Sequence, residues 1–125
     1  MAKAKLESDG LKLKVAVATQ GSKGLRDRVS DVFGRARIFT IVDVEDGRIK
    51  GAKVMKNPAA SLEYGVGPIV AEKLVKKKVD VAIAGEFGPG ALALLKARNI
   101  RGVEVKVGTN VCRAVDNVIK ERMPK

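Results

Sequence analysis

The sequence predicts an α/β protein, a three-layer α/β/α sandwich around a five-stranded mixed sheet. Three observations carry that expectation. Two short runs, Val15-Ala16-Val17-Ala18 and the VDVAIA of residues 79–84, are almost continuously apolar, the pattern of strands covered on both faces. Asp46-Gly47 sits between two strand-like stretches and signals a tight hairpin, because such a turn needs positive φ. Apolar residues then recur at helical spacing between and after the later strands.

The elements follow in order. Residues 1–10 are polar, alternate in charge and end in Ser-Asp-Gly, so they are expected to form a loose tail ahead of a single domain over 11–125. Residues 11–18 alternate lysine with apolar residues and then become wholly apolar, as a strand entering a core does. Residues 19–24 form a glycine-bearing loop, and 29–36 a turn or helical turn. Strand two spans 38–44 and strand three 48–56. Lys50, Lys53 and Lys56 mark strand three as a sheet edge, and Asn57-Pro58 closes it.

Pro68 suits the first turn of a helix running to about Lys77, with Ile69, Val70, Leu74 and Val75 on one face. Residues 79–84 are strand four. Gly88-Pro89-Gly90 opens a second helix that runs through Ala97 and stops at Asn99. Val103, Val105 and Val107 alternate with charged residues as a half-buried edge strand. Thr109-Asn110 caps a final helix with the stripe Val111, Val115, Val118 and Ile119.

Strands one and four are the most apolar and belong in the centre. Hairpin pairing of two with three then gives the order 3-2-1-4-5, with strand two antiparallel to the rest. Right-handed connections are expected to place the crossover helices on both faces. The loops at 19–24, 57–67, 85–90 and 108–110 gather on the carboxyl rim, and the crevice between strands one and four is the expected ligand site. Its walls are Gly21, Ser22 and Lys23 opposite Glu86, Phe87 and Gly88, where backbone N–H groups and helix N-termini favour an anion. The same glycines serve equally as tight strand-to-helix turns. Neither the P-loop nor the dinucleotide fingerprint is present.

Composition narrows the function classes. The net charge is +11, yet aromatic residues are 3%, which leaves little surface for base stacking and argues against nucleic acid as the partner. No apolar run approaches the length of a membrane span or a signal-peptide core, and a single cysteine fits a reducing cytoplasm. Abundant lysine with only one glutamine and one cysteine fits a thermophilic source. Without histidine there is no ordinary nucleophile–base pair, and one cysteine cannot build a zinc site. Asp43 and Asp80 fall on the rim opposite Glu86 and Asp116 lies on the last helix, so the carboxylates do not cluster. The chain is expected to be no enzyme.

VSDVFGRARIFTIVDVEDG at 29–47, NPAA at 57–60 and GVGPIVAEKLVKKKVDVAIAGEFGPGALALLKARNI at 65–100 resemble the dinitrogenase iron–molybdenum cofactor biosynthesis family. That small domain occurs in NifX-like accessory proteins and at the end of the cofactor-assembly protein NifB. The resemblance implies a ribonuclease H-like motif. It also implies binding or carriage of an iron–sulfur or iron–molybdenum-type cluster or its precursor, with a partner protein in cofactor assembly. Arg35 matches the family's Phe-Gly-Arg triplet and suits an anionic ligand or a carboxylate of its own fold. Gly65 and Gly67 belong to the matching GVGP segment.

One departure stands out. The family commonly carries histidine before Phe-Gly-Arg, and here Val32 stands there, which cannot ligate a metal. Cys112 is the remaining soft ligand, in the first turn of the last helix beside Arg113, where dipole and cation favour thiolate. A lone thiolate is weak support for a cluster that usually takes several cysteines. Cys112 reads equally as a small hydrophobe near Val115 and Ile119. Three readings stand: a non-catalytic carrier of a metallocluster or small anionic ligand, a diverged interaction module without metal, and a basic nucleic-acid binder. Monomer and homodimer are both open.

Overall fold

The computed structural model describes residues 12–57 and 66–122. The N-terminal tail over 1–10 and Gly65 lie outside the described residues. Five strands form one sheet: β1 (Leu13–Thr19), β2 (Ile38–Glu45), β3 (Arg48–Lys56), β4 (Val81–Ala84) and β5 (Arg101–Glu104). Their order is β3-β2-β1-β4-β5, and β2 runs antiparallel to both neighbours while β1, β4 and β5 are parallel. The hairpin joining β2 and β3 turns on Asp46 and Gly47, both at positive φ (54° and 78°). A bulge at Asp43/Val44 shifts the register next to that turn.

Three helices complete the fold: α1 (Val66–Lys76), α2 (Pro89–Ala97) and α3 (Val111–Arg122). The central strands sort their side chains by size. Leu13, Val15 and Val17 of β1 and Val81 and Ile83 of β4 join α3 in one core layer. The intervening Ala16, Ala18, Ala82 and Ala84 face the other way, against α1, α2 and the rings of Phe33, Phe39 and Phe87. Small side chains on that face leave room for two helices and three aromatic rings; branched ones on the other fill the space beneath a single helix.

The layering was expected, but its cause differs. Both crossovers, β3 to β4 through α1 and β4 to β5 through α2, progress across the sheet in the same direction. The right-handed rule therefore puts both crossover helices on one face. On the opposite face the described helix is α3, which follows the last strand and packs there with Val29 and Leu25.

Smaller differences have local causes. In α1 the buried stripe is Val70, Ala71 and Leu74, while Ile69 is 41% exposed. Strand β5 occupies Arg101–Glu104 rather than the valines at 103–107. A turn begins at Lys106, whose carbonyl accepts the Thr109 N–H, with Gly108 at φ 90°, and it leaves Val107 exposed. Helices α1 and α2 each end with a residue in the left-handed region, Lys78 (φ 62°) and Asn99 (φ 63°). The Val79 and Ile100 N–H groups then reach back to the Leu74 and Leu95 carbonyls, which caps both helices.

Candidate functional site

Strand pairing fixes the carboxyl rim. Thr19 pairs with Ile38, Ile38 with Lys56, and Ala84 with Glu104, so the loops after β1, β3, β4 and β5 share one edge of the sheet. The switch point between β1 and β4 lies there, and the chain fills it with its own segment. The Ser30 N–H donates to the Ala18 carbonyl (2.7 Å), and the Gly85 N–H donates to the Ser30 carbonyl (2.9 Å). Glu86 and Phe33 extend the ladder, donating to Asp31 and Glu86 carbonyls at 2.9 Å each. Residues 27–33 thus pass between the two strand ends, from the α3 side, where Val29 is buried, to the α1/α2 side, where Phe33 is buried. An antiparallel β1–β2 pair needs only a short turn. The long connection over 20–37 instead supplies the groups that satisfy the ends of the parallel pair.

Gly85 explains itself here. A Cβ at that position would lie 3.0 Å from both the Ser30 and Asp31 carbonyl oxygens and closer still to Val107. Only glycine lets the threaded segment approach.

The loop over 21–24 is folded around an internal anion. Asp27 is buried, and its carboxylate accepts the Lys23 N–H (2.9 Å) and the Arg28 N–H (2.8 Å). A Cβ on Gly21 would approach that carboxylate to 3.2 Å. Thr19 ties the same loop through its hydroxyl, which donates to the Gly21 carbonyl. The place where a glycine loop would cradle a ligand anion is thus engaged by the chain's own carboxylate; Ser22 and Lys23 remain exposed at its surface.

On the α1/α2 side, a 3-10 helical turn, Phe33–Arg35, presents exposed Arg35. Phe33 anchors it by stacking on Phe87, with ring centroids 5.0 Å apart, and by tilted contact with Phe39 at 5.4 Å. Asn57 locks the turn from below. Its buried amide donates to the Gly34 (3.1 Å) and Ala36 (2.8 Å) carbonyls, and its backbone N–H donates to Arg37. In the sequence Asn57 stands as a strand terminator and within the family-matching NPAA segment, and neither signal gives it this locking role.

Helices α1 and α2 pack side by side and both start on this rim. Neither has an acidic residue in its first turn, and the α2 N-cap, Gly88, provides no side-chain cap. Gly67 lies in the first turn of α1. Unlike Gly85, Gly88 and Gly90 have nothing within 4 Å of a notional Cβ among the described residues. No described neighbour therefore demands glycine at either place. Glu86 is exposed beside them, and the following Phe87 N–H is taken by the Glu104 carboxylate (3.2 Å).

Cys112 is elsewhere. It sits in the first turn of α3, on the other face of the sheet, and its thiol donates to the Leu25 carbonyl (3.5 Å). A cavity of about 460 Å³ beside it is lined by Asn110, Arg113, Asp116, Asn117 and Lys120. The structure therefore brings Arg35, Gly67, Glu86 and Gly88 to one side of the rim, and separates them from Cys112 and the Asp27-bound loop. Half-buried Val32 is bridged through its backbone to Glu86. Among the described residues no three His, Cys, Asp or Glu side chains come together as metal ligands. No described helix is long and apolar enough to cross a membrane.

Comparison with known proteins matches this geometry to solved folds. The apo form of the orange protein from Desulfovibrio gigas superimposes with a TM-score of 0.76 at 30% identity, over 89% of this chain and 90% of that one. A Thermotoga protein described as NifB-like, TM1290, gives 0.69 at 36% identity over 88% and 90%. The uncharacterized protein MJ0580 of Methanocaldococcus jannaschii is 34% identical over 74 residues, 59% of this chain. The match spans 63% of that curated relative's length. Residues 12–121 match the family described as Dinitrogenase iron-molybdenum cofactor. With nearly the whole described chain inside that match, the protein belongs to the dinitrogenase iron–molybdenum cofactor family.

Proposed function

We propose that the protein is a non-catalytic accessory protein that docks an anionic iron–sulfur or iron–molybdenum-type complex, or its precursor, as cargo for a partner protein in cofactor assembly. The observation that carries this reading is the pair of adjacent helix N-termini beside the Arg35 turn, lined by Gly88 and Gly90, which no described neighbour requires to be glycine. Helix N-termini and a guanidinium favour negative charge, and glycines let a ligand approach the backbone. Family membership supports the cargo class.

The residues present do not fit a bare ion. The chain has one cysteine and no histidine, and its described residues offer no coordination cage. A complex that brings its own sulfides needs only N–H donors and a cation against its outer atoms, and the rim supplies both. Cys112 has no part in this site, because it lies across the sheet and its thiol is engaged with Leu25.

Anaerobic reconstitution with iron and sulfide, with and without molybdate, followed by metal analysis and absorption spectroscopy, tests the reading. Stoichiometric metal that survives Cys112→Ala and is lost in Arg35→Gln supports it. Metal lost only in Cys112→Ala replaces it with a thiolate site on α3. No retained metal in any form favours the second reading, an interaction module without metal, for which Val32 at the family's histidine position is the supporting observation.

A further inference from the structure

Among the described residues, strand β5 leaves one edge of the sheet unpaired. In the parallel ladder with β4, the Arg101 and Val105 N–H groups point inward, to the Asp80 and Ala84 carbonyls, both at 3.0 Å. Alternation then turns the N–H and C=O groups of Gly102 and Glu104 outward, where no described strand pairs with them. Beside this edge runs a groove of about 520 Å³ between α2 and β5, lined by Leu92, Lys96, Asn99, Ile100, Arg101 and Gly102. Its floor is apolar. Leu92 is 38% exposed, and Gly102 lies so close to it that a Cβ would approach the Leu92 side chain to 2.7 Å.

We propose that this edge and groove bind an extended acidic segment of a partner protein by strand addition. The outward groups of Gly102 and Glu104 hydrogen-bond its backbone, one apolar side chain enters the Leu92–Ile100 groove, and an adjacent carboxylate meets Lys96. Charge selects the occupant. Arg98 and Arg101 are already matched, by Glu72 and Glu121 at 2.9 Å each, whereas Lys96 makes no ion pair among the described residues. The chain as a whole carries +11, which attracts an acidic segment and opposes a second copy of itself.

Self-pairing is also poorly matched in detail. Pairing that keeps outward groups opposite outward groups sets Glu104 against Gly102 or Glu104 of the other copy, and never against Arg101, so it gains no cross-strand ion pair. The groove runs from Leu92 to Asn99 and Ile100 along α2, and its lining shares no residue with the proposed cargo site, although Glu104 at the end of β5 reaches the rim through the Phe87 N–H. It therefore stands independently of the cargo reading.

The test is a titration of isotopically labelled protein with a short synthetic peptide in which leucine alternates with glutamate, followed through backbone amide shifts. Saturable shifts centred on Gly102 and Glu104 and reaching Leu92 are expected. Lys96→Glu, an exposed change that leaves the core untouched, should weaken binding about fivefold, and a lysine-for-glutamate peptide should recover it. No saturable binding, shifts centred on Arg35 and Gly67 in place of β5, or equal affinity of the wild type for the lysine peptide would overturn the proposal. So would concentration-dependent shifts at Gly102 and Glu104 without peptide, which would identify a second copy as the occupant.

Discussion

Gly85→Ala should be among the most damaging single-methyl additions this fold can receive. The new Cβ would stand 3.0 Å from two backbone carbonyl oxygens, Ser30 and Asp31, and would press on Val107. A side-chain tip can rotate away from such a contact. A carbonyl held in a ladder cannot, because moving it opens the 2.9 Å bonds from Gly85 to Ser30 and from Glu86 to Asp31. Overpacking costs roughly 1–3 kcal/mol, and each weakened backbone bond adds about 1 kcal/mol. A loss of about 3 kcal/mol is expected in urea unfolding, with faster amide exchange at Phe33 and Glu86 as the threaded segment lifts. Gly90→Ala is the internal control, since nothing lies within 4 Å of its Cβ and its φ is not positive. Replacing a helical glycine there should stabilise by about 0.5–1 kcal/mol. If the two variants unfold at the same midpoint, the threaded segment does not close the switch point as described.

Three further outcomes follow from the same geometry. Asn57→Asp sets a carboxylate against the Gly34 and Ala36 carbonyls in a buried position. It should cost about 3 kcal/mol or more in thermal unfolding, against roughly 1–2 kcal/mol for Asn57→Ala. Asp27→Ala removes the acceptor for the Lys23 and Arg28 N–H groups. A loss of about 2 kcal/mol in urea unfolding is expected, with raised amide exchange over 21–28, and unchanged exchange there would count against the internal-anion account. Lys78→Gly relieves a non-glycine residue at φ 62° and should raise stability by about 0.5–1 kcal/mol in the same urea assay.

The sheet was legible because its determinants are local. Alternation and continuous apolar runs placed β1, β2 and β4, and Asp46-Gly47 with the edge lysines placed the hairpin and β3. From those the order β3-β2-β1-β4-β5 follows by counting which strands need two covers. The α3 stripe was equally readable, and Val111, Val115, Val118 and Ile119 are all buried. The bounds of β5 were not, because alternation of valines begins at Val103 and persists through Val107 while the ladder with β4 runs from Arg101 to Glu104. Periodicity reports the pattern of side chains, and the backbone leaves the ladder when its partner β4 ends.

The sequence by itself determined the layers, the strand order and the family, since each rests on short-range pattern or on motifs read in line. Tertiary structure alone decided which candidate residues share a site. Arg35 and Cys112 both belong near the carboxyl rim by topology, yet the handedness of two same-direction crossovers puts the Arg35 turn with α1 and α2, and leaves Cys112 with α3 behind the sheet. Glycine likewise looks the same in every motif. Only the packed neighbours distinguish Gly85, which the fold requires because two carbonyls leave no room, from Gly88 and Gly90, which meet no described atom within 4 Å.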